Sequence, residues 1–537
     1  MKQKQFLFSI ILAIFGFTIT AQDIQIKVDA TKTSGKLEPF WASQIIHPTE
    51  FVLTEWGTNF VRLLKETGAA QQYIRIYNQP ENAIRIGSDG KITYNWNRFD
   101  EMAELILSTG NKLKVIFFSM PFELALYPES VKHRPDIGVV CCISPPKDYK
   151  LWEELCADFT RHVIDKFGLD EVKKWTFRCW NEPDHTGFWH NGDINEYLKL
   201  YDYFAKGVKS VNPGINIGGP ALTSTATYIK PENFKLFLEH VVNGVNHATG
   251  KTGSPIDFIS VHTYGGVCAG GAPGKELPDV DYLIEQQIRY ADMRDEYPKL
   301  RNLPIHVEEW GESSCGTTGV SEKPTADVRN SQYGAAFLTS WVGRHILLKQ
   351  EKDRKIESFT FCSSGYDRVP VKDFMGYRTL DTKNGFHKPV LNAYKLLYRL
   401  APELVPVTIV PSNRHISAFA TRDADRITIV VTNYQYDQII NNGISYPLNL
   451  STQSQWKPET KITVKHWRID NTHSNSYSAF KEIGSPELPN QLEIDSVKKR
   501  MNLELMEPPK HMMSRDLDKM KFELPCNAVS LIEITRD

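Results

Sequence analysis

The chain is predicted to fold as an α/β protein, a (β/α)8 TIM barrel followed by a C-terminal antiparallel β-sandwich domain. Three observations carry that expectation. From about residue 36 to 400, apolar strand-like runs alternate with amphipathic helical stretches, the rhythm of a parallel βα architecture. The strand-like runs number eight, the count at which such units close into a barrel. After Pro402 the pattern shifts to short alternating strands broken by turns, which suits two packed sheets.

In chain order the barrel strands are expected at 40–46 (FWASQII), 73–78 (YIRIYN), 113–121 (LKVIFFSMP) and 174–182 (KWTFRCWNE). The remaining four are expected at 215–221 (INIGGPA), 257–265 (DFISVHTYG), 304–311 (PIHVEEWG) and 357–365 (ESFTFCSSG). Helical patterns such as 147–168 and 327–349 lie between them. HISAFATRD, DRITIVVTNYQ, TKITVKHWRID and NAVSLIEITRD supply strands for the sandwich. The early segment DIQIKVDA reads as one more strand, expected to join the sandwich from the N-terminal side. The organisation is therefore 1–21 signal peptide, 22–35 N-terminal strand, 36–400 barrel and 401–537 sandwich.

Lys2 and Lys4 precede an apolar run from Phe6 to Ile19 that ends at Ala21, the layout of a cleaved secretory signal. That run is short of the roughly 20 residues that span a bilayer. Export to the periplasm or medium of a Gram-negative bacterium is the expectation, with no membrane partner once the signal is removed. With 41% hydrophobic residues in 537 positions, a substantial core is available. A net charge of −1 with scattered Lys and Arg gives no basic face for nucleic acid. Eight cysteines are too few for a disulfide scaffold in a chain this long. Cys179 and Cys362 read as core residues; Cys141, Cys142, Cys268 and Cys315 fall in predicted loops, where one bridge has room to form. None has metal-ligand spacing.

Two runs break off at a carboxylate: RCWNEPD at Glu182 and LPIHVEEWGE at Glu309. Barrel enzymes place reactive groups at the C-terminal ends of strands, so both are directed to one mouth. Two carboxyl groups in one cleft, one protonated and one ionised, are what glycoside hydrolysis requires. Asn181 supplies an amide beside Glu182, and Pro183 fixes the turn. For the second group Glu308, Glu309 and Glu312 compete. Strand side chains alternate faces, so Glu308 and Glu309 are not both expected inside. If Ile305 and Val307 face the axis, Glu309 does too, which leaves Glu308 towards the helices or a loop. Glu312, past Gly311, is expected in the loop.

With these residues in view the chain resembles glycoside hydrolase family 39, the family of β-xylosidases and α-L-iduronidases. ISPPKDYKLWEEL, FGLDEVKKWTFRCWNEPDH and FWHNGDINEYLKLYDYFAKGVKSVNP follow the family pattern around the acid/base, and HVEEWGESS resembles the nucleophile segment. NGFHKPVLNAYKLL and HWRIDNTHSNSYSAFKEIGSP extend the likeness across nearly the whole mature chain. The resemblance implies a barrel with a sandwich, retaining chemistry with Glu182 as general acid/base and Glu309 as nucleophile, and no metal or cofactor. It further implies sugar-site roles for His262 and Tyr264 after the sixth strand, and for His47 after the first. A structural histidine is the plainer reading of His262. Phe188 and Trp189 are candidates to wall the leaving-group side, against simple packing, and Trp310 is a candidate sugar contact.

Two departures bear on the substrate. Tyr77 stands where many relatives carry a histidine after the second strand. Arg378, in GYRTL, matches an arginine of the iduronidase branch, where a guanidinium would hold a uronic carboxylate bidentately. It would equally serve as a loop salt bridge to Asp367, Asp373 or Asp381. The leading expectation is an exo-glycosidase acting on polysaccharide-derived oligosaccharides, β-D-xylosidase-like. An iduronidase-like activity stands second, and a non-catalytic carbohydrate-binding protein on a barrel scaffold third.

Overall fold

The computed structural model describes residues 23–46, 49–77, 84–134, 139–223, 231–266, 277–313, 328–363, 373–374 and 379–537. Eight parallel strands form the barrel: β1 (Ser43–Ile45), β2 (Tyr73–Tyr77), β3 (Lys112–Phe117), β4 (Thr176–Cys179), β5 (Asn216–Pro220), β6 (Phe258–Gly266), β7 (Ile305–Ser313) and β8 (Thr360–Cys362). Each pairs with the next, and β8 pairs back with β1, which closes the ring. All eight lie within or against the runs expected from sequence, because an apolar stretch of this length between helices is buried on both faces.

Each strand is followed by a helix: α1 (Glu55–Glu66), α2 (Asn97–Ser108), α3 (Tyr149–Phe167), α4 (Ile194–Val211), α5 (Pro231–Asn243), α6 (Val280–Asp295), α7 (Gln332–Glu351) and α8 (Pro389–Leu397). Their starts are fixed chemically. Thr54, Asp148, Asp193, Asp279 and Ser331 each accept a backbone N–H of the first turn that has no partner inside the helix. The strand residues that face outwards lock the helices on. Phe117 and Phe177 meet Phe159 of α3, and Phe117 also meets Phe204 of α4 at a centroid distance of 4.9 Å. The alternate residues Arg75, Lys114 and Arg178 therefore point to the barrel axis.

α7 is buried on nearly every side, as a helix lying between two layers must be. One face lies on the barrel; the other touches the sandwich, where Thr432 donates to Thr339 at 2.9 Å and Tyr333 donates to the Tyr436 carbonyl at 2.7 Å. One sandwich sheet orders its strands Val407–Val410, Ile24–Asp29, Tyr446–Gln453 and Met520–Leu524. The segment from the N-terminal side is thus an inner strand, antiparallel to one neighbour and parallel to the other. The larger sheet runs Gly35–Lys36, Glu403–Val405, Ile416–Arg422, Arg426–Asn433, Ala528–Arg536 and Lys461–Ile469, ending on the short Glu504–Leu505.

Candidate active site

Glu182 lies three residues beyond the end of β4, on a loop held out of regular structure. Trp180 and Glu182 have φ of 63° and 48°, and Ala221 on the facing loop has 51°. Such left-handed backbone costs a non-glycine residue about 1–3 kcal/mol and persists only where surroundings enforce it. They do so here: the Glu182 N–H donates to the Ala221 carbonyl at 3.0 Å. Two residues on, the Asp184 carboxylate accepts from the Thr223 N–H (2.9 Å) and hydroxyl (3.0 Å). The β4 and β5 loops are clamped together with the Glu182 side chain between them. Burial, reinforced by the Glu182 charge against hydrogen bonds from Thr223, pushes the Asp184 carboxyl up to about 6.

His262 on β6 orients the Glu182 carboxyl. Its Nε2 lies 3.5 Å from Arg178 Nη1, and a guanidinium can only donate, so the ring proton is assigned to Nδ1. Nδ1–H then donates to Glu182 Oε1 at 2.8 Å. Asn181, 3% exposed, accepts from Arg178 Nη2 at 3.1 Å through Oδ1, which leaves its amide group as a donor.

Glu309 on β7 is held from two sides. Arg75 Nη2 donates to Oε1 and the Tyr264 hydroxyl donates to Oε2, both at 2.8 Å. Burial alone would pull the Arg75 guanidinium down, but Glu309, Tyr77, Glu308 and Cys362 together outweigh burial and hold the cation beside the Glu309 carboxylate. One oxygen each of Glu182 and Glu309, with a His262 ring nitrogen, lie within 4.8 Å of one another. The two carboxyl side chains remain 12% and 11% exposed, so both reach the mouth.

Strict alternation, from which Glu309 is expected inside and Glu308 outside, does not hold along β7. Between β6 and β7 the register runs Val261 to Val307, then His262 to Glu309, so Glu308 is the extra residue of a β-bulge. Both glutamates consequently point inwards, contrary to the expectation that Glu308 faces the helices. Arg75 straddles the bulge, donating from Nη1 to the Glu308 carbonyl at 2.8 Å. Glu308 is wholly buried beneath the mouth, with Arg178 Nε 2.8 Å from one oxygen and Lys114 Nζ 3.4 Å from the other. The Arg178 contact is a close ion pair whose N–H is not aimed at the oxygen, and Lys114 donates instead to the Ser358 carbonyl at 3.1 Å. Burial would raise the Glu308 carboxyl; Lys114, Arg178 and Arg75 together overcome it and hold it down to about 2.

Tyr77 is buried at the end of β2, with Phe118 at 5.2 Å and Arg75 and Glu309 close enough to perturb it. Three aromatic candidates are corrected. Trp310 has no exposed surface and faces outwards, 3.9 Å from Trp341 of α7, because the residue after an inward Glu309 must point to the helices. Trp189 is likewise fully buried, edge-on to Trp180 at 4.8 Å, and donates to the Asp193 carbonyl, so it supports the Glu182 loop from below. Phe188 packs in the same cluster, 6.1 Å from Phe118. Glu312 is not in a loop: β7 continues to Ser313, and Glu312 forms a buried two-point ion pair with Arg329. His47 and Arg378 lie outside the described residues, as do Cys268 and Cys315. Arg75, Lys114 and Arg178 were not anticipated. The available signal was a cation inside an otherwise apolar barrel strand, which demands an interior anion.

Comparison with known proteins agrees with this geometry. The family model described as glycosyl hydrolases family 39 matches residues 24–515. A β-xylosidase of Caldicellulosiruptor saccharolyticus is 25% identical over 493 residues, covering 89% of this chain and 92% of that one. The α-L-iduronidase of Mus musculus is 23% identical over 550 residues, covering 95% and 80%. Among solved structures, a monomeric β-xylosidase from Caulobacter crescentus CB15 superposes with a TM-score of 0.75 at 22% identity, covering 95% of this chain and 99% of the other. A family match over nearly the whole length, on a closed barrel whose mouth joins two glutamates, makes this chain a glycoside hydrolase belonging to glycosyl hydrolases family 39.

Proposed function

We propose that the protein is an exported, retaining exo-glycosidase that releases terminal sugars from polysaccharide-derived oligosaccharides, with β-D-xylosides the first substrate class. The observation that carries this reading is the approach of the two carboxyl groups, whose nearest oxygens lie within 4.8 Å. Retaining enzymes separate these groups by about 5–5.5 Å, whereas inverting enzymes need about 6.5–9.5 Å for an intervening water. Glu309, ionised beside Arg75, attacks the anomeric carbon while Glu182 gives its proton to the departing oxygen. Glu182, now a base, takes a proton from the water that attacks the glycosyl ester. Esterification removes the Glu309 charge, so Glu182 no longer faces a second carboxylate at the step where it must act as base.

An uncharged terminal sugar fits the described cleft. Arg75, Arg178 and Lys114 are each committed to Glu308, Glu309 or their neighbours. An α-L-iduronidase-like reading, favoured by the murine relative, requires a further cation for the uronate, and Arg378 is the candidate from sequence. Residues 1–21 serve as the export signal in this proposal. The deciding experiment compares aryl xylosides with aryl uronides. Xyloside turnover, abolished in Glu309→Gln, is expected; release from uronides alone, lost in Arg378→Ala, overturns the xylosidase reading in favour of the second.

A further inference from the structure

Glu308 is the most deeply buried anion near the site, and no step above uses it. It is 0% exposed and cannot touch substrate, yet it is covalently next to Glu309 and shares its strand face. Its direct side-chain contacts are not with the Glu309 half of the site, where Arg75 pairs with Glu309. It leads to the other half. Arg178, also 0% exposed, meets Glu308 through Nε and spends Nη2 and Nη1 on Asn181 and His262. His262 donates to Glu182 at 2.8 Å. One guanidinium thus joins Glu308 to His262, which orients Glu182, and to Asn181, the residue before it in the chain.

A buried guanidinium left without its anion is strongly destabilised and moves to the next carboxylate within reach. Without Glu308 the guanidinium can shift towards the two carboxyl groups of the mouth: Glu309, which Arg75 already holds, and Glu182, whose carboxyl has only the His262 ring hydrogen-bonded to it among the described residues. An Arg178 drawn to Glu182 would hold that group ionised and end its use as an acid. The groups that face Glu182 and Arg178 include His262 from β6, Glu308 and Glu309 from β7, Arg75 and Tyr77 from β2, Lys114 from β3, Asp184 on the Glu182 loop and Tyr290 from α6. Among them Glu308 is the one in contact with the guanidinium and not with the cleft.

We propose that Glu308 is a positioning residue for the acid half of the reaction: it anchors Arg178, which holds Asn181 and His262 and, through His262, keeps the Glu182 carboxyl where it can reach the leaving oxygen. This rests on the assignment of Glu182 as acid and Glu309 as nucleophile. The bulge therefore delivers two functions from adjacent residues, the nucleophile at 309 and the anchor of the acid at 308.

The test is kcat/KM across aryl glycosides of one sugar, with leaving groups from dinitrophenol to unsubstituted phenol, on the full-length protein. A dinitrophenolate departs without protonation, whereas phenol needs the acid, and general acid catalysis contributes about 10²–10⁴-fold. For Glu308→Gln the expected loss is under about threefold on the dinitrophenyl substrate and at least about 100-fold on the phenyl one. Equal losses along the series, or none, overturn the proposal. Glu308→Gln with Lys114→Met removes one anion and one cation together, preserves the buried charge balance and is expected to show the same leaving-group dependence. If circular dichroism shows both variants unfolded, Glu308 serves stability and the proposal falls. The sugar is one that the wild type turns over; a wild type inactive on xylosides and uronides alike sinks the acid/nucleophile assignment before any variant is made, which separates the two failures.

Discussion

Arg75 ties the site together with one planar group: it donates to the Glu309 carboxylate and to the carbonyl of the bulged residue before it. Lysine cannot reproduce that fork. Arg75→Lys is expected to lower kcat/KM by about 10²–10³-fold, the equivalent of losing one or two charged hydrogen bonds. Steady-state kinetics checks this, and a change under threefold would contradict it. At this scale the sequence was legible where a side chain ends a strand. Glu182, Glu309, His262 and Tyr264 converge because strand ends of a barrel must. It was illegible for aromatics, since Trp189 and Trp310 beside the two glutamate motifs read the same whether they wall a cleft or support it. Arg178 was legible in principle: a cation in an apolar strand has to find an anion, and its partner sat in the other motif as Glu308.

The element that decides the chemistry is the bulge in β7. Simple alternation would leave only one of two adjacent glutamates inside; the extra residue admits both and turns Trp310 onto α7. Trp310→Ala is therefore expected to cost about 3–5 kcal/mol of stability, as for other buried tryptophans, with KM close to wild type. Denaturant unfolding and kinetics on the same preparation separate this from a sugar contact, for which KM would rise and stability hold. The eight strands were readable from apolar runs bounded by helical periodicity. The bulge was not, because it is stabilised by Arg75 from β2, a contact between residues 233 positions apart in the chain. The reach of β7 to Ser313, which places Glu312 in the sheet, depends likewise on the Arg329 partner.

Over the whole molecule, barrel and sandwich share α7, and a strand from before the barrel lies inside the sandwich. Ile24, Ile26 and Val28 are buried there, so removing residues 23–30 strips an inner strand and is expected to abolish cooperative unfolding of the sandwich. That strand was legible from its alternation; its partners were not, because pairing between distant segments leaves no local pattern. Stability should also depend on pH through Asp184. Its folded value of about 6 exceeds its ordinary 3.8, so the folded state binds more proton, and stability present below pH 3.8 is lost as pH rises to about 6. Asp184→Asn removes that loss, and its unfolding free energy is expected to fall less between pH 4 and 7 than that of wild type; an identical fall would contradict the assignment. All of this scaffolding serves the meeting of two carboxyl groups, and the most direct test is to trap the glycosyl ester that the proposed two-step reaction would form. Incubation with a 2-deoxy-2-fluoro glycoside of the sugar it hydrolyses, then peptide mass mapping, is expected to find one sugar ester on Glu309. An unlabelled protein that still turns over substrate, or an ester on any other residue, would contradict the account.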